Sequence, residues 1–105
     1  MNLAEEIVSI LTDRKETLSI AESLTGGALT SAIVDVAGAS HILKGSIIAY
    51  SIDIKVRELS VPQETIDRDG VVSEEVALKM AEGIRSRLAT TWSMASTGVD
   101  SFGHL

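Results

Sequence analysis

The stretch AESLTGGALTSAIVDV, residues 21–36, decides the fold predicted for this chain. It follows a short apolar run, passes through a Ser/Thr/Gly turn and continues as a mostly small and apolar segment. This pattern is typical of a buried strand, a tight turn and a helix packed closely on a sheet. A turn between a strand and a helix presents side chains and backbone N–H groups to a ligand. Residues 22–27 are therefore the first candidate site.

Strands and helices alternate on both sides of this stretch. Strands are predicted at residues 17–21, 45–51 and 91–96, and helices at about residues 3–13, 26–36, 53–59 and 74–88, with a further helical turn that ends at Gly70. Asn2 and Glu5 match a capping pair for the first helix, and Ser73 is a favourable N-cap for the last one. The alternation predicts one α/β domain over residues 1–105, with a mainly parallel sheet.

Composition excludes several classes of function. The net charge of -6 and a sequence pI of about 4.7 argue against a nucleic-acid partner, because a phosphate backbone would be repelled. The absence of cysteine excludes disulfides, thiolate catalysis and thiolate metal sites. The amphipathic, acidic N-terminus does not resemble a signal peptide, and no apolar stretch approaches the ~20 residues of a membrane span. We therefore expect a cytoplasmic protein with no membrane partner.

The turn around Ser23 has two interpretations. Glycines are common between a strand and a helix for backbone reasons alone, and Ser23 or Thr25 could simply cap the helix. Alternatively, one of these hydroxyls acts on a bound ligand, while the N–H groups near Gly26 and Gly27 hold an anion or an oxyanion. Spacing alone leaves both open. The loop matches neither the dinucleotide motif GxGxxG nor the phosphate loop that ends in Lys-Ser/Thr.

A reactive serine needs a base, and Lys55 is the most suitable candidate. His41 and His104 lie outside the strand ends where sites of α/β proteins collect, so both are predicted to be surface residues. Lys55 follows the second strand beside Tyr50, and a partly desolvated lysine there could lose its proton near neutral pH. The alternative is a solvated surface charge. The carboxylates show no spacing of metal ligands, so we predict no metal site.

Five motifs resemble, in order and spacing, the C-terminal domain of CinA, the competence/damage-inducible protein family. They are AESLTGG (residues 21–27), GAS (38–40), AYSIDIKVRELSVP (49–62), DGVVSEEVALKMAEGIR (69–85) and STG (96–98). The resemblance covers nearly all of residues 17–98 and implies a three-layer α/β/α sandwich. Stand-alone members of the family are nicotinamide-nucleotide amidohydrolases, which convert nicotinamide mononucleotide to nicotinic acid mononucleotide and ammonia. The resemblance therefore implies that the chain is an amidase of pyridine-nucleotide salvage and that its substrate is a small-molecule nucleotide.

The resemblance also implies roles for individual residues. Ser23 matches the serine nucleophile, Lys55 the base that activates it, and Tyr50 a residue that orients or relays the proton. Substrate-binding positions are matched by Glu22, Thr25, Gly26, Gly27, Thr97 and Gly98, of which the last two begin a second ligand loop. No cofactor and no metal are implied for this reaction.

The chain departs from the family pattern after Gly98. The family continues with TGxAGPxGG, whereas Val99, Asp100, Ser101 and Phe102 follow here. We expect a domain short of the family's C-terminal strand and helix, and without the pyrophosphatase-like domain that precedes it in full-length CinA. An alternative function is therefore a non-catalytic or partner-dependent binding module that kept the fold and part of the pocket. An uncovered sheet edge further predicts a homo-oligomer.

Overall fold

Three parallel strands form the centre of the fold. They are β1 (Leu18–Glu22), β2 (Leu43–Ile48) and β3 (Trp92–Ala95), in the order β2-β1-β3. A computed structural model describes residues 1–98 of the chain. All five residues of β1 are buried, because this strand pairs with a neighbour on each side and carries helices on both faces. The predicted parallel sheet is thus confirmed.

In the described part of the chain, five helices surround this sheet. They are α1 (Leu3–Arg14), α2 (Ala28–Val34), α3 (Ile52–Leu59), α4 (Gln63–Asp69) and α5 (Glu74–Leu88), and a 3₁₀ turn covers Ala39–His41. The bounds of α5 are those predicted from the sequence. Asn2 and Glu5 form the predicted capping box, and the Ser73 hydroxyl accepts a hydrogen bond from the Val76 N–H. None of the helices within residues 1–98 has the length and apolarity that a membrane crossing requires.

Each face of the sheet packs on its own hydrophobic core, which makes the fold a three-layer α/β/α sandwich. On one face, Ala21 packs with α3, α4 and α5 through Leu59, Val61, Ile66, Val76, Met80 and Ile84. On the other face, Leu18 and Ile20 pack with α1, α2 and the 3₁₀ turn through Val8, Leu11, Ile33, Ala39 and Ile42. Successive side chains of β1 point to opposite faces, so one strand contributes to both cores.

The structure corrects two predicted elements. The helix predicted over residues 26–36 begins only after Gly27, because Gly26 and Gly27 have positive φ angles of 60° and 114° that are not helical. It ends at Val34, and Gly38 starts the 3₁₀ turn instead of closing the helix. The second strand lies two to three residues before its predicted position, since its bounds are set by pairing with β1.

The chain connections place a crevice at the carboxyl end of β1. The connection from β1 to β2 runs through α2 on one face of the sheet, whereas the connection from β2 to β3 runs through α3, α4 and α5 on the other. The chain therefore reaches β2 over one face of the sheet and β3 over the other face. At such a topological switch point the loops diverge, and ligands of open α/β sheets bind there.

Candidate active site

Ser23 directly follows β1 at this switch point. The backbone pairing extends past the strands on both sides, since the Ala49 N–H donates to the Glu22 oxygen (2.7 Å) and the Ser96 N–H to the Ala21 oxygen (3.0 Å). These bonds fix the backbone immediately before Ser23. The Ser23 side chain is only 4% exposed. The serine is therefore held in a defined position at the end of the central strand.

Lys55 reaches Ser23 from α3. Ser51 caps this helix directly after β2, which brings the lysine back over the end of the sheet. Lys55 is 2% exposed, and its Nζ donates hydrogen bonds to Ser23 Oγ (2.9 Å), to the Ala49 oxygen (2.7 Å) and to the Tyr50 oxygen (3.3 Å). The interpretation of Lys55 as a solvated surface charge is therefore wrong.

These contacts suit a lysine that exchanges a proton with serine. Burial lowers the pKa of Lys55, because desolvation penalises the ammonium form. The two carbonyl oxygens can only accept, so they take N–H bonds from both the charged and the neutral amine. In the neutral form, the lone pair remains for the third partner, the Ser23 hydroxyl. This geometry can draw a proton from Ser23 Oγ and make that oxygen nucleophilic.

Gly26 and Gly27 shape the loop after Ser23. The Gly26 N–H donates to the Ser23 carbonyl oxygen (3.1 Å), and the Gly27 N–H donates to Glu22 Oε1 (3.0 Å). Of the N–H groups near these glycines that were expected to hold an anion or an oxyanion, those of Gly26 and Gly27 themselves are already bonded within the loop. The two glycines are needed for their positive φ angles.

Thr25 contacts the end of β3 instead of capping α2. Its Oγ1 lies 2.8 Å from Ser96 Oγ, a contact that joins the first loop to the residue after β3. The N-cap of α2 is Gly27, which has no side-chain capping bond. The interpretation of Ser23 and Thr25 as simple helix caps is therefore wrong.

Glu22 lies beneath the loop and is 0% exposed. Its carboxylate accepts the N–H groups of Gly27, Leu29 and Thr30 and the Thr30 hydroxyl. Burial alone would raise the pKa of Glu22, but hydrogen bonds from the Thr30 hydroxyl and from the loop backbone lower it to about 2. Glu22 is thus ionised, and its carboxylate is hydrogen-bonded within the protein. The resemblance implied that Glu22 binds substrate, but its side chain has no exposed surface for such a contact.

Tyr50 contributes its backbone to the site. Its carbonyl oxygen accepts from Lys55 Nζ, whereas its side chain is 63% exposed. The alternation predicted for the second strand explains this, since Ala49 points into the core and Tyr50 points away from it. Among residues 1–98, the Tyr50 hydroxyl forms no hydrogen bond, so the proton relay implied by the resemblance is not formed in this structure.

Thr97 and Gly98 lie beside the first loop, as the motif order implies. The Thr97 hydroxyl donates to the Val71 carbonyl oxygen (3.0 Å), which ties the end of β3 to the connection between α4 and α5. A Cβ atom on Gly98 would come within 3.2 Å of Leu24 Cδ2, so glycine allows the two loops to approach each other. The altered positions Val99 to Phe102, like His104, lie outside the described residues. His41 is exposed, as predicted.

Sequence reasoning missed three hydroxyl residues around the site. Thr30 on α2 and Ser46 on β2 lie 2.7 Å apart beside Glu22, and Ser96 contacts Thr25. The available signal was a small polar residue within an otherwise apolar strand or helix. Such a residue needs a hydrogen-bonding partner once it is buried.

The comparisons with known proteins all point to one family. The family model described as the CinA C-terminal domain matches residues 1–101. A CinA-like protein of Dictyoglomus thermophilum is 44% identical over 98 residues, which are 93% of this chain and 24% of that protein. The chain therefore spans about a quarter of the length of this curated relative.

Two solved structures share the fold. A competence/damage inducible protein of Agrobacterium tumefaciens is 35% identical with a TM-score of 0.89, over 92% of this chain and 59% of that one. A CinA superfamily protein of Escherichia coli is 32% identical with a TM-score of 0.92, over 98% of this chain and 60% of that one. In both cases the chain corresponds to about three fifths of the solved molecule.

Proposed function

This chain belongs to the CinA C-terminal domain family, and on that premise we propose that it hydrolyses the carboxamide of nicotinamide mononucleotide, with Ser23 as nucleophile and Lys55 as base. The contact between Lys55 Nζ and Ser23 Oγ, at 2.9 Å and with both side chains buried, is the observation that carries the proposal. The products are nicotinic acid mononucleotide and ammonia.

The reaction proceeds in two halves. Ser23 Oγ attacks the carboxamide carbon as its proton moves to Lys55 Nζ, and the tetrahedral intermediate then releases ammonia, to which Lys55 returns the proton. Water next attacks the acyl-serine ester while Lys55 accepts a proton from it, and the regenerated Ser23 hydroxyl takes that proton back. Neutral Lys55, favoured by its burial, is the form that starts each half.

The N–H groups of Leu24 and Thr25 are the donors that we assign to the oxyanion. Gly26 and Gly27 are unsuitable, because their N–H groups bond to Ser23 and Glu22. Within residues 1–98, the Leu24 and Thr25 N–H groups donate no hydrogen bond. The N–H that directly follows a nucleophile at a strand-to-helix turn commonly contributes to an oxyanion hole.

Ammonia release from nicotinamide mononucleotide tests the proposal. We expect turnover by the purified chain, and a loss on the order of a thousandfold for Ser23→Ala and for Lys55→Met. The double variant should lose little more than the worse single one, because the two side chains act as one unit. Lys44→Met, which removes an exposed lysine, is the matched control and should keep wild-type turnover.

Two outcomes would count against this function. Additive losses in the double variant would contradict a shared Ser23–Lys55 unit. Binding of nicotinamide mononucleotide without ammonia release, at high protein concentration and also in a longer chain that extends past Leu105, would instead support the alternative of a non-catalytic binding module.

A further inference from the structure

Among residues 1–98, the carboxylate of Glu22 accepts hydrogen bonds only from the segment that follows Ser23. Oε1 accepts the N–H groups of Gly27 (3.0 Å) and Leu29 (3.1 Å), and Oε2 accepts the Thr30 N–H (2.9 Å) and the Thr30 hydroxyl. The main chain of Glu22 is fixed to the sheet through its carbonyl oxygen, which accepts from the Ala49 N–H (2.7 Å). Glu22 thus joins the end of β1 to the start of α2.

This arrangement closes residues 22–27 into a ring. The backbone leaves the sheet at Glu22, passes Ser23, and returns at Gly27 to the Glu22 side chain. Within the ring, the Gly26 N–H bonds to the Ser23 carbonyl oxygen (3.1 Å), so the main chain of Ser23 is held from both directions. Glu22 and Ser23 are adjacent at the end of β1, where successive side chains point in opposite directions. The Glu22 side chain contacts α2, and the Ser23 side chain contacts Lys55.

A third element supports the carboxylate. Thr30 has a single hydroxyl proton, and the ionised Glu22 can only accept, so this proton is donated to Glu22. The Thr30 hydroxyl also lies 2.7 Å from the Ser46 hydroxyl on β2. These contacts between Ser46, Thr30 and Glu22 form a hydrogen-bonding chain that connects β2, α2 and the end of β1. Every polar atom of the Glu22 side chain is engaged in it, and none faces solvent.

We infer that Glu22, held by Thr30, is a positioning residue that keeps the loop over residues 23–27 in the conformation in which Ser23 Oγ meets Lys55 Nζ. This inference rests on the proposed function, in which Ser23 is the nucleophile. It assigns Glu22 a role through Ser23 and not through contact with substrate. The same carboxylate occupies the N–H groups at the start of α2, so an anionic part of the substrate has to bind elsewhere.

Reaction with a fluorophosphonate probe measures the nucleophile without the carboxamide substrate. Ser23 Oγ attacks phosphorus, fluoride leaves with the P–F bond pair, and Lys55 receives the serine proton. Glu22→Gln places an NH₂ group or a neutral oxygen against the loop N–H groups. We expect this variant to lower the maximal labelling rate at least about tenfold, while the half-saturating probe concentration stays unchanged. Thr30→Val should act in the same direction, and Thr30→Ser should restore the rate.

Two controls separate positioning from folding. Glu6→Gln changes an exposed glutamate and should label at the wild-type rate. Urea unfolding establishes that each variant is folded under the labelling conditions. If Glu22→Gln does not fold, the labelling rates of Thr30→Val and Thr30→Ser test the inference instead. Serine keeps the hydroxyl that donates to Glu22, whereas valine lacks it.

A second measurement reads the Ser23–Lys55 contact without any reaction. The ¹³Cε chemical shift of Lys55 reports its titration, and we expect Glu22→Gln to move the midpoint up, toward the ordinary lysine value of 10.5, as the displaced loop admits water. A folded Glu22→Gln protein with wild-type labelling, or with an unchanged Lys55 midpoint, would overturn the inference. A wild-type chain that never labels at Ser23 would count against the proposed nucleophile, while the Lys55 titration would still decide the role of Glu22.

Discussion

At the scale of single residues, Lys55 is the most informative side chain. It is almost completely buried, and within residues 1–98 it forms no ion pair with a carboxylate. Two carbonyl oxygens and one hydroxyl are its hydrogen-bonding partners. Burying an amine among neutral acceptors favours the uncharged form. A structural salt bridge would have the opposite effect.

The pH dependence of activity follows from this environment. Because burial lowers the pKa of Lys55 below 10.5, kcat/KM for amide hydrolysis should rise with pH and then reach a plateau. The midpoint of this rise should lie below pH 10.5. Lys55→Arg should be inactive throughout, since a guanidinium is not deprotonated in this range. A rate profile with no rise that is attributable to Lys55, or an active Lys55→Arg variant, would contradict a lysine base.

The same shift affects folding stability with a definite sign. Between the lowered folded pKa of Lys55 and 10.5, the unfolded chain binds more protons, so this group makes the free energy of unfolding rise with pH in that window. The lysine therefore destabilises the fold at lower pH relative to a neutral group of similar shape.

Glu22 predicts the acid behaviour of the protein. Its pKa is lowered from 4.5 to about 2, so the stability that it contributes is complete above 4.5 and is lost as pH falls toward 2. Ionisation of Glu22 contributes roughly 3 kcal/mol to the free energy of unfolding near neutral pH. Urea unfolding should show the difference in unfolding free energy between the wild-type protein and Glu22→Gln narrow below pH 4.5. A difference that stays constant with pH would mean that the fold does not lower the pKa of Glu22.

At the scale of elements, α3 and α5 approach each other closely at Gly83. A Cβ atom on Gly83 would lie 1.8 Å from the carbonyl oxygen of Leu59, the last residue of α3. The helix that supplies Lys55 is therefore seated directly on the backbone of α5. Glycine at this position allows the end of α3, the helix that carries Lys55, to contact the backbone of α5.

Gly83→Ala should destabilise the protein by about 2 kcal/mol or more, because the clash is with backbone, which cannot rotate away. Gly45→Ala is a suitable control, since its Cβ would meet only Leu88 Cδ1 at 3.4 Å. Urea unfolding measures both changes. We also expect Gly83→Ala to lower activity more than its stability loss explains, as α3 and Lys55 shift. Equal stability of the two variants would contradict this account of the helix crossing.

Element boundaries show where local sequence was sufficient. The starts of α1 and α5 are encoded locally by Asn2, Glu5 and Ser73, whose side chains form hydrogen bonds with nearby backbone groups. The ends of α2 and β2 are not encoded in this way. The start of α2 is set by the positive φ angles of Gly26 and Gly27 and by the Glu22 carboxylate, which bonds to N–H groups at the start of the helix. The ends of β2 depend on pairing with β1, which acts between distant segments and was not visible in a local window.

At the scale of the whole molecule, the sheet leaves two outer edges. In the described part of the chain, β2 and β3 each pair only with β1. An apolar groove of about 250 Å³ follows the β3 edge, lined by Ile7, Ile10, Leu11, Arg14, Leu18, Trp92, Ser93 and Met94. Unpaired strand edges beside apolar surface are sites of association.

We therefore expect the chain to self-associate in the micromolar range, as the sequence also predicted. Ile10→Glu places a charge in the groove and should shift sedimentation toward the monomer. Leu78→Glu is the matched control, because Ile10 and Leu78 are 52% and 51% exposed but Leu78 lies outside the groove. A wild-type monomer across the whole range, or equal effects of the two variants, would remove this edge as the cause.

The sequence by itself determined the fold class and the family, and it predicted Ser23 and Lys55 as candidate site residues, because periodicity, turn residues and motif order are properties of the chain. Only the tertiary structure decided which polar groups are already hydrogen-bonded to one another. It joined Lys55 to Ser23 across 32 positions, and it turned Glu22, Gly26 and Gly27 into the loop's internal supports. The physical reason is that a hydrogen-bonding group has a fixed number of partners, and folding assigns them across segments.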